Sequence, residues 1–135
     1  MILKQLSYLC KIILEESLTN FKNSNSKSNN ALFVLTDQQK LKRLDRKNGA
    51  EVWTYDLPIY KNPKRSTGKF GHFSPVLAGN KLYVASTDKK IRVFDPKTGE
   101  LLNLIPLRGG AASQLAIANE RMYILSGAGK LIAFQ

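Results

Sequence analysis

The feature that most constrains this chain is an internal repeat. Residues 31–57, ALFVLTDQQKLKRLDRKNGAEVWTYDL, align without a gap on residues 81–107, KLYVASTDKKIRVFDPKTGELLNLIPL, at an offset of fifty. Leu32 meets Leu82, Phe33 meets Tyr83, Val34 meets Val84 and Leu41 meets Ile91. Further on, Leu44 meets Phe94, Asp45 meets Asp95 and Gly49 meets Gly99. A third copy starts at Arg121, offset by forty, with Met122, Tyr123 and Ile124 in its first strand and Leu131 and Phe134 in its second. It stops at Gln135, where the other copies carry their aspartate. Chance can pair one strand with another, but not three copies in register. Such a chain builds one supersecondary unit several times, and each unit buries its apolar face against a neighbour.

One unit is readable in physical terms. LYVAS and KIRVF are β-rich runs separated by a turn, which makes a hairpin. Asp95-Pro96-Lys97-Thr98-Gly99 then reverses the chain. Pro96 presets its own φ, the Asp95 carboxylate can accept backbone N–H bonds two or three residues on, and Gly99 supplies the positive φ of a bulged turn. Asp45-Arg46-Lys47-Asn48-Gly49 repeats the design without the proline. The run from Glu51 to Tyr55 is an outer strand. Inner strands precede the other hairpins, at 74–78 and 114–118. Four antiparallel strands at a period of forty to fifty indicate a propeller blade. The fold class is therefore all-β, a partial β-propeller of about two and a half four-stranded antiparallel blades. Its repeats span 31–57, 74–107 and 113–135, and the first lacks an inner strand because a polar linker stands in its place. Gln39 and Lys89 occupy the hairpin position that Gly129 fills, so those two turns carry strain or adopt another type.

Residues 1–30 differ from the rest. Ile2, Leu6, Leu9 and Ile13 fall at helical spacing, which fits an amphipathic helix of about four turns over residues 1–21. It is a poor secretory signal, since Lys4 and Lys11 bracket a short apolar stretch interrupted by Gln5 and Ser7. As an acylated cysteine, Cys10 would follow Leu9 where a small residue is expected. KNSNSKSNN, residues 22–30, has no apolar residue and reads as a flexible linker, placing the domain boundary near Asn30.

Composition narrows the chemistry. Apolar residues make up 43% and charged residues 23% of the 135, an ordinary globular balance that excludes wholesale disorder, collagen and coiled coil. Twenty-one Lys and Arg against ten Asp and Glu give a net charge of +11. The excess is spread along the chain, +2 over residues 1–30, +5 over 31–80 and +4 over 81–135, without the dense stripe of a nucleic-acid face. A single cysteine, Cys10, excludes an intramolecular disulfide and any cysteine cluster, and His72 is the only histidine.

The hairpin, the Asp-x-x-Thr/Asn-Gly turn and a Trp four residues after the glycine (Gly49, then Trp53) resemble the pyrroloquinoline-quinone-type propeller repeat. VWTYDLPIYKNPK, FSPVLAGNKLYVAS and ILSGAGKLIAF resemble the C-terminal blades of the BamB family of outer-membrane β-barrel assembly lipoproteins. The resemblance covers residues 31–135. It implies closed eight-bladed rings behind an export signal, so this chain reads as a truncated fragment of such a ring, in a split or decayed reading frame. Asn103 departs from the pattern, standing where a second Trp would fall. The resemblance further implies a non-enzymatic protein-binding scaffold whose partner is the envelope β-barrel assembly machinery, at the periplasmic face of the outer membrane. Without a signal or lipobox, cytoplasmic retention stays open. The alternative is a fragment of a quinoprotein dehydrogenase, which by family analogy needs calcium held by acidic and amide ligands, a base aspartate and usually adjacent cysteines. These repeats do not supply that set, so no catalytic residue, cofactor, metal or small-molecule substrate is expected.

The remaining candidates are weighed residue by residue. Asp45, Gly49, Asp95 and Gly99 recur at the same repeat positions, so turn formation explains them better than catalysis. Trp53, on an outer strand, reads as a docking residue between blades near the Asp95–Gly99 turn. Ser126-Gly127-Ala128-Gly129-Lys130 lacks the spacing and the following helix of a phosphate loop. His72 has no Ser, Cys or acidic partner that sequence can place beside it, and reads as a loop histidine. The excursion from Pro58 to Phe73 is ten residues longer than the connection before the third copy. It interleaves Lys61, Lys64, Arg65 and Lys69 with Tyr60, Phe70 and Phe73, and is a candidate partner-contact loop. Finally, the first and last blades are expected to leave bare faces carrying Val34, Ile124 and Phe134, which favours self-association.

Overall fold

The computed structural model describes residues 31–135, and every regular element among them is a β-strand. The helix and linker expected over residues 1–30 lie outside the described residues. Strands β1 (Ala31–Leu35), β2 (Lys40–Asp45) and β3 (Glu51–Asp56) form one sheet in chain order. Two short strands, β4 (Tyr60–Asn62) and β5 (Thr67–Lys69), pair only with each other. A four-stranded sheet follows, built from β6 (Val76–Ala78), β7 (Lys81–Ala85), β8 (Lys90–Phe94) and β9 (Leu101–Pro106). The last sheet holds β10 (Ala116–Ala118), β11 (Arg121–Leu125) and β12 (Leu131–Phe134). All neighbours are antiparallel. The large sheets of three, four and three strands amount to two and a half four-stranded blades.

The repeat seen in sequence is a repeat of register. Phe33, Arg43 and Trp53 lie side by side across the first sheet, and Tyr83, Val93 and Asn103 lie so across the second. Leu35, Leu41 and Tyr55 match Ala85, Ile91 and Ile105 in the same way. Even the irregularity recurs, with the register shifting at Arg43/Leu44 and again at Val93/Phe94. The inner strands are shorter than expected, three residues each. Pro75, which has no N–H to give a ladder, stands outside β6.

Side chains alternate across each sheet, so both faces of the middle sheet become core. Leu82, Val84 and Phe94 pack with Phe33, Leu35 and Leu41 of the first sheet. Ala85 and Ile91 pack with Ile124, Met122, Ile132 and Phe134 of the third. This corrects the expected bare faces. Ile124 is buried and Phe134 half-buried because both sit at positions equivalent to Val84 and Phe94, pointing back at the preceding sheet. Val34 is also fully buried, in a small cluster with Leu44 and Leu32. The large apolar residues that the third sheet leaves in solvent are Ile117, 37% exposed, Leu125, 42%, and Leu131, 72%.

The turns that join β1 to β2, β7 to β8 and β11 to β12 each place one residue in the left-handed region: Gln39 (φ 60°), Lys89 (φ 65°) and Gly129 (φ 79°). All three turns thus share one geometry, and the two non-glycine copies bear the Cβ clash that this region imposes. Their carbonyls are also used alike, since Leu57 N–H donates to Gln39 O at 3.0 Å and Leu107 N–H to Lys89 O at 2.8 Å. Gln39→Gly and Lys89→Gly should therefore each stabilise the fold, by about 0.5–1 kcal/mol once the extra unfolded-state entropy of glycine is set against the relieved clash. Urea unfolding checks this, and destabilisation by both substitutions would contradict it.

Candidate functional site

The Asp95–Gly99 turn forms the seam between the first two sheets, and the Asp45–Gly49 turn repeats its internal design. In both copies the aspartate Oδ1 accepts the N–H two residues on, Lys47 to Asp45 and Lys97 to Asp95, each at 2.8 Å. Gly49 and Gly99, at φ 71° and 77°, donate their N–H groups back to the aspartate carbonyls. The second turn also receives the first sheet. Trp53 Nε1 donates to Pro96 O at 3.0 Å, and Arg43 Nη1 donates to the same oxygen at 3.0 Å. The indole lies over Gly99, where an added Cβ would come within 2.6 Å of the ring, so only glycine admits this approach. Trp53 is half-buried rather than a full core residue, with Phe33 against it at a ring separation of 6.1 Å.

A second constellation was not legible in sequence. His72, expected to lack partners, forms a bridge with Ser86, and its Nδ1 lies 2.5 Å from Ser86 Oγ. Its Nε2 lies 2.7 Å from Pro58 O. A carbonyl only accepts, so Nε2 carries a proton, and in the neutral ring that burial favours Nδ1 accepts the serine O–H. Ser86 Oγ in turn accepts from Arg92 Nη1 at 3.3 Å, and Arg92 is ion-paired with Asp88, their side chains only 6% and 5% exposed. Burial is the main reason that the His72 pKa lies below its ordinary value, with Arg92 pushing the same way and the Pro58 carbonyl and Asp88 opposing. Ser86 is fully buried, so the Ser–His pair is not a nucleophile open to a substrate. In the other two hairpins the matching hydroxyls, Thr36 Oγ1 and Ser126 Oγ, instead accept from Lys40 and Lys130 N–H in their own turns. The one available sequence signal was that the second repeat alone carries an Asp and an Arg four residues apart, at 88 and 92.

This clasp sits at the root of the excursion. Pro58 enters it and His72 leaves it, so the imidazole ties both ends to Ser86. Phe70 N–H donates to Ile59 O at 2.8 Å, and Gly71 and Thr87 exchange two more bonds, at 2.8 and 2.9 Å. Beyond this root the chain does not wander as a loop but forms the β4–β5 hairpin, an arm with a tight turn at Pro63–Ser66. Strands of three residues rich in Lys and Gly have no readable alternation, which is why sequence did not show them. The arm separates the residues that the sequence interleaved. Lys61, Lys64, Arg65 and Lys69 are exposed, whereas Tyr60, Phe70 and Phe73 are half-buried, Phe73 against the core between the second and third sheets. Gly68 lies flat beneath Lys61, whose Cβ is 2.9 Å from where a Cβ on the glycine would be.

Among the described residues, no three His, Cys, Asp or Glu side chains lie together so as to hold a metal ion. The repeated Asp45 and Asp95 carboxylates each accept a backbone N–H within their own turns.

Antiparallel sheets of up to four strands, packed face to face in chain order, define a β-propeller protein. The profile of the family described as outer membrane protein assembly factor BamB matches residues 37–135, and the chain belongs to that family. The crystal structure of BamB from Moraxella catarrhalis is similar with a TM-score of 0.63 at 18% identity, over 78% of this chain and 30% of that one. The WD40 β-propeller domain of Doa1 follows with a TM-score of 0.62 at 15% identity, over 81% and 34%. A computationally designed protein, Ika8, gives 0.59 at 14% identity, over 81% and 31%. At such identities the likeness is one of fold, and the chain spans about a third of the length of these structures. No curated protein sequence matches it.

Two outcomes follow from this geometry. Trp53→Phe removes the bond to Pro96 and should cost about 1 kcal/mol, whereas Gly99→Ala drives a methyl into the indole at positive φ and should cost about 2–4 kcal/mol. Equal effects in denaturant unfolding would contradict the seam as described. For His72 the folded pKa lies below the unfolded one, so the folded state binds fewer protons and stability falls as pH drops below 6.5 toward the lowered value. Unfolding free energies between about pH 7 and 5.5 should show this slope, and His72→Gln should flatten it. An unchanged slope in the variant would remove His72 as its source.

Proposed function

We propose that the chain is a non-enzymatic protein-binding scaffold that serves outer-membrane β-barrel assembly at the periplasmic face of the outer membrane. The family match over residues 37–135 is the observation that supports this reading. In it, Asp45, Gly49, Trp53, Asp95 and Gly99 keep the sheets stacked. The arm bearing Tyr60, Lys61, Lys64, Arg65, Lys69, Phe70 and Phe73 meets an envelope protein. A stiff root and an exposed tip suit that task, since recognition is most specific when a rigid scaffold holds the contacting loop. The scaffold needs no cofactor, small-molecule substrate or nucleic acid. The outward face of the third sheet, where Leu125 and Leu131 stand in solvent beside the edge strand β12, also supports association between copies.

The test uses the full chain. Immobilised, it should capture purified proteins of the β-barrel assembly machinery, and it should reduce no dye when quinone and calcium are supplied. Quinone-dependent turnover would overturn the non-enzymatic reading, and failure to retain any assembly protein would overturn the scaffold. Sedimentation should show mass rising with concentration, and Leu131→Lys should lower it. A monodisperse monomer with a concentration-independent melting transition would rule out self-association.

A further inference from the structure

The arm lies within a stretch without acids. Residues 57–87 contain no Asp or Glu. Elsewhere four strand cations are engaged: Lys40 with Asp56 and Lys42 with Glu51, each at 3.2 Å, Arg92 with Asp88, and Arg43 with the Pro96 carbonyl, whereas Lys81, Lys90 and Arg121 each stand at the start of a different strand rather than in a cluster. Among the described residues none of Lys61, Lys64, Arg65 and Lys69 has an ion-pair partner, and all four are exposed. Two of them, Lys61 and Lys64, line a shallow open cleft of about 650 Å³ together with Asn62, Pro63, Thr67 and Gly68, and Arg65 and Lys69 flank these residues in the chain. The missing side chain of Gly68 keeps its floor low against Lys61.

Resting on the reading of the arm as the partner contact, we propose that it recognises an acidic segment of a partner polypeptide. The carboxylates meet Lys61, Lys64, Arg65 and Lys69, and the segment's chain lies in the cleft. Three observations favour a polypeptide over other polyanions. A lipid surface is held by apolar insertion as well as charge, yet from Lys61 to Lys69 the arm offers no apolar side chain larger than Pro63. Single-stranded nucleic acid stacks on displayed aromatic rings, and Tyr60 and Phe70 are half-buried at the root. The cleft, though shallow and open, is a local depression on one short hairpin, which suits a single extended chain better than a flat membrane.

The experiment compares the full wild-type chain with the quadruple variant Lys61→Gln, Lys64→Gln, Arg65→Gln and Lys69→Gln. The probes are a Glu-rich peptide, phosphatidylglycerol vesicles and single-stranded RNA, each at low and physiological salt. All four positions are at the surface, so equal melting temperatures confirm that the variant is folded. The peptide should bind the wild type, weaken as salt rises, and bind the variant about 30-fold less tightly, four exposed charge pairs at about 0.5 kcal/mol each. Unchanged peptide affinity in the variant would overturn the proposal, as would arm-dependent binding of vesicles or RNA at equal or higher affinity. Capture of assembly proteins by wild type and variant alike, with no peptide binding, would remove the acidic segment and keep the scaffold. Peptide binding without capture would do the reverse.

Discussion

Everything in this structure depends on face-to-face burial of alternate residues. A strand offers one set of side chains to each side, and the middle sheet uses both sets as core. Polar chemistry is thereby concentrated in turns, outer edges and connections, with the buried Arg92–Asp88 pair as an exception. The seam shows how narrow those margins are. Trp53 is on an outer strand, so its ring is held between half a core and a turn. A single carbonyl, that of Pro96, receives both its N–H and the Arg43 guanidinium. Gly99 is required there because the ring occupies the space a side chain would need. Stacking, turn chemistry and the identity of one glycine are thus one constraint.

The clasp is the same scaffold put to a local use. A hydroxyl stands at the start of all three hairpins, as Thr36, Ser86 and Ser126. In the first and last it closes its own turn. In the middle one it is turned toward His72 and Arg92, at the one junction that carries a long insertion. Lengthening a loop costs little closure entropy, about 0.6 kcal/mol for each doubling, but leaves the tip undirected. Fastening both ends to a buried hydroxyl removes that freedom at the root. The buried Arg92–Asp88 pair is costly to desolvate and adds little net stability on its own. Its contribution here is to set the orientation of Ser86.

Register, turn design and the number of sheets were legible because each is written locally and then repeated. The offset of fifty places Leu41 on Ile91 and Gly49 on Gly99, and the ladders follow that alignment residue by residue. Sidedness was harder. The apolar character of Ile124 and Phe134 suggested an exposed face, but direction is set by parity along the strand, and parity puts Leu125 and Leu131 outside instead. The clasp was illegible for another reason. His72 and Ser86 are fourteen residues apart and meet only because β6 and β7 fold back on each other. Neither periodicity nor a motif encodes such a meeting.

Charge follows from the same division of labour. Stacking consumes the apolar faces of the sheets, so apart from the buried Arg92–Asp88 pair the charged residues stand on outward faces, turns and connections, and the acids among them are largely spent on structure. Asp45 and Asp95 close turns, Asp56 and Glu51 hold Lys40 and Lys42, and Asp88 holds Arg92. The acid-free stretch carries the arm, so four of the cations stand together, without acids beside them, on an element fastened at its root. Over the screening length of about 8 Å at physiological salt, cations clustered on one short hairpin act together on an approaching chain, whereas scattered ones do not. A fold that spends its apolar surface on its own repeats has only its connections left for recognition, and this chain has concentrated both length and charge in one of them.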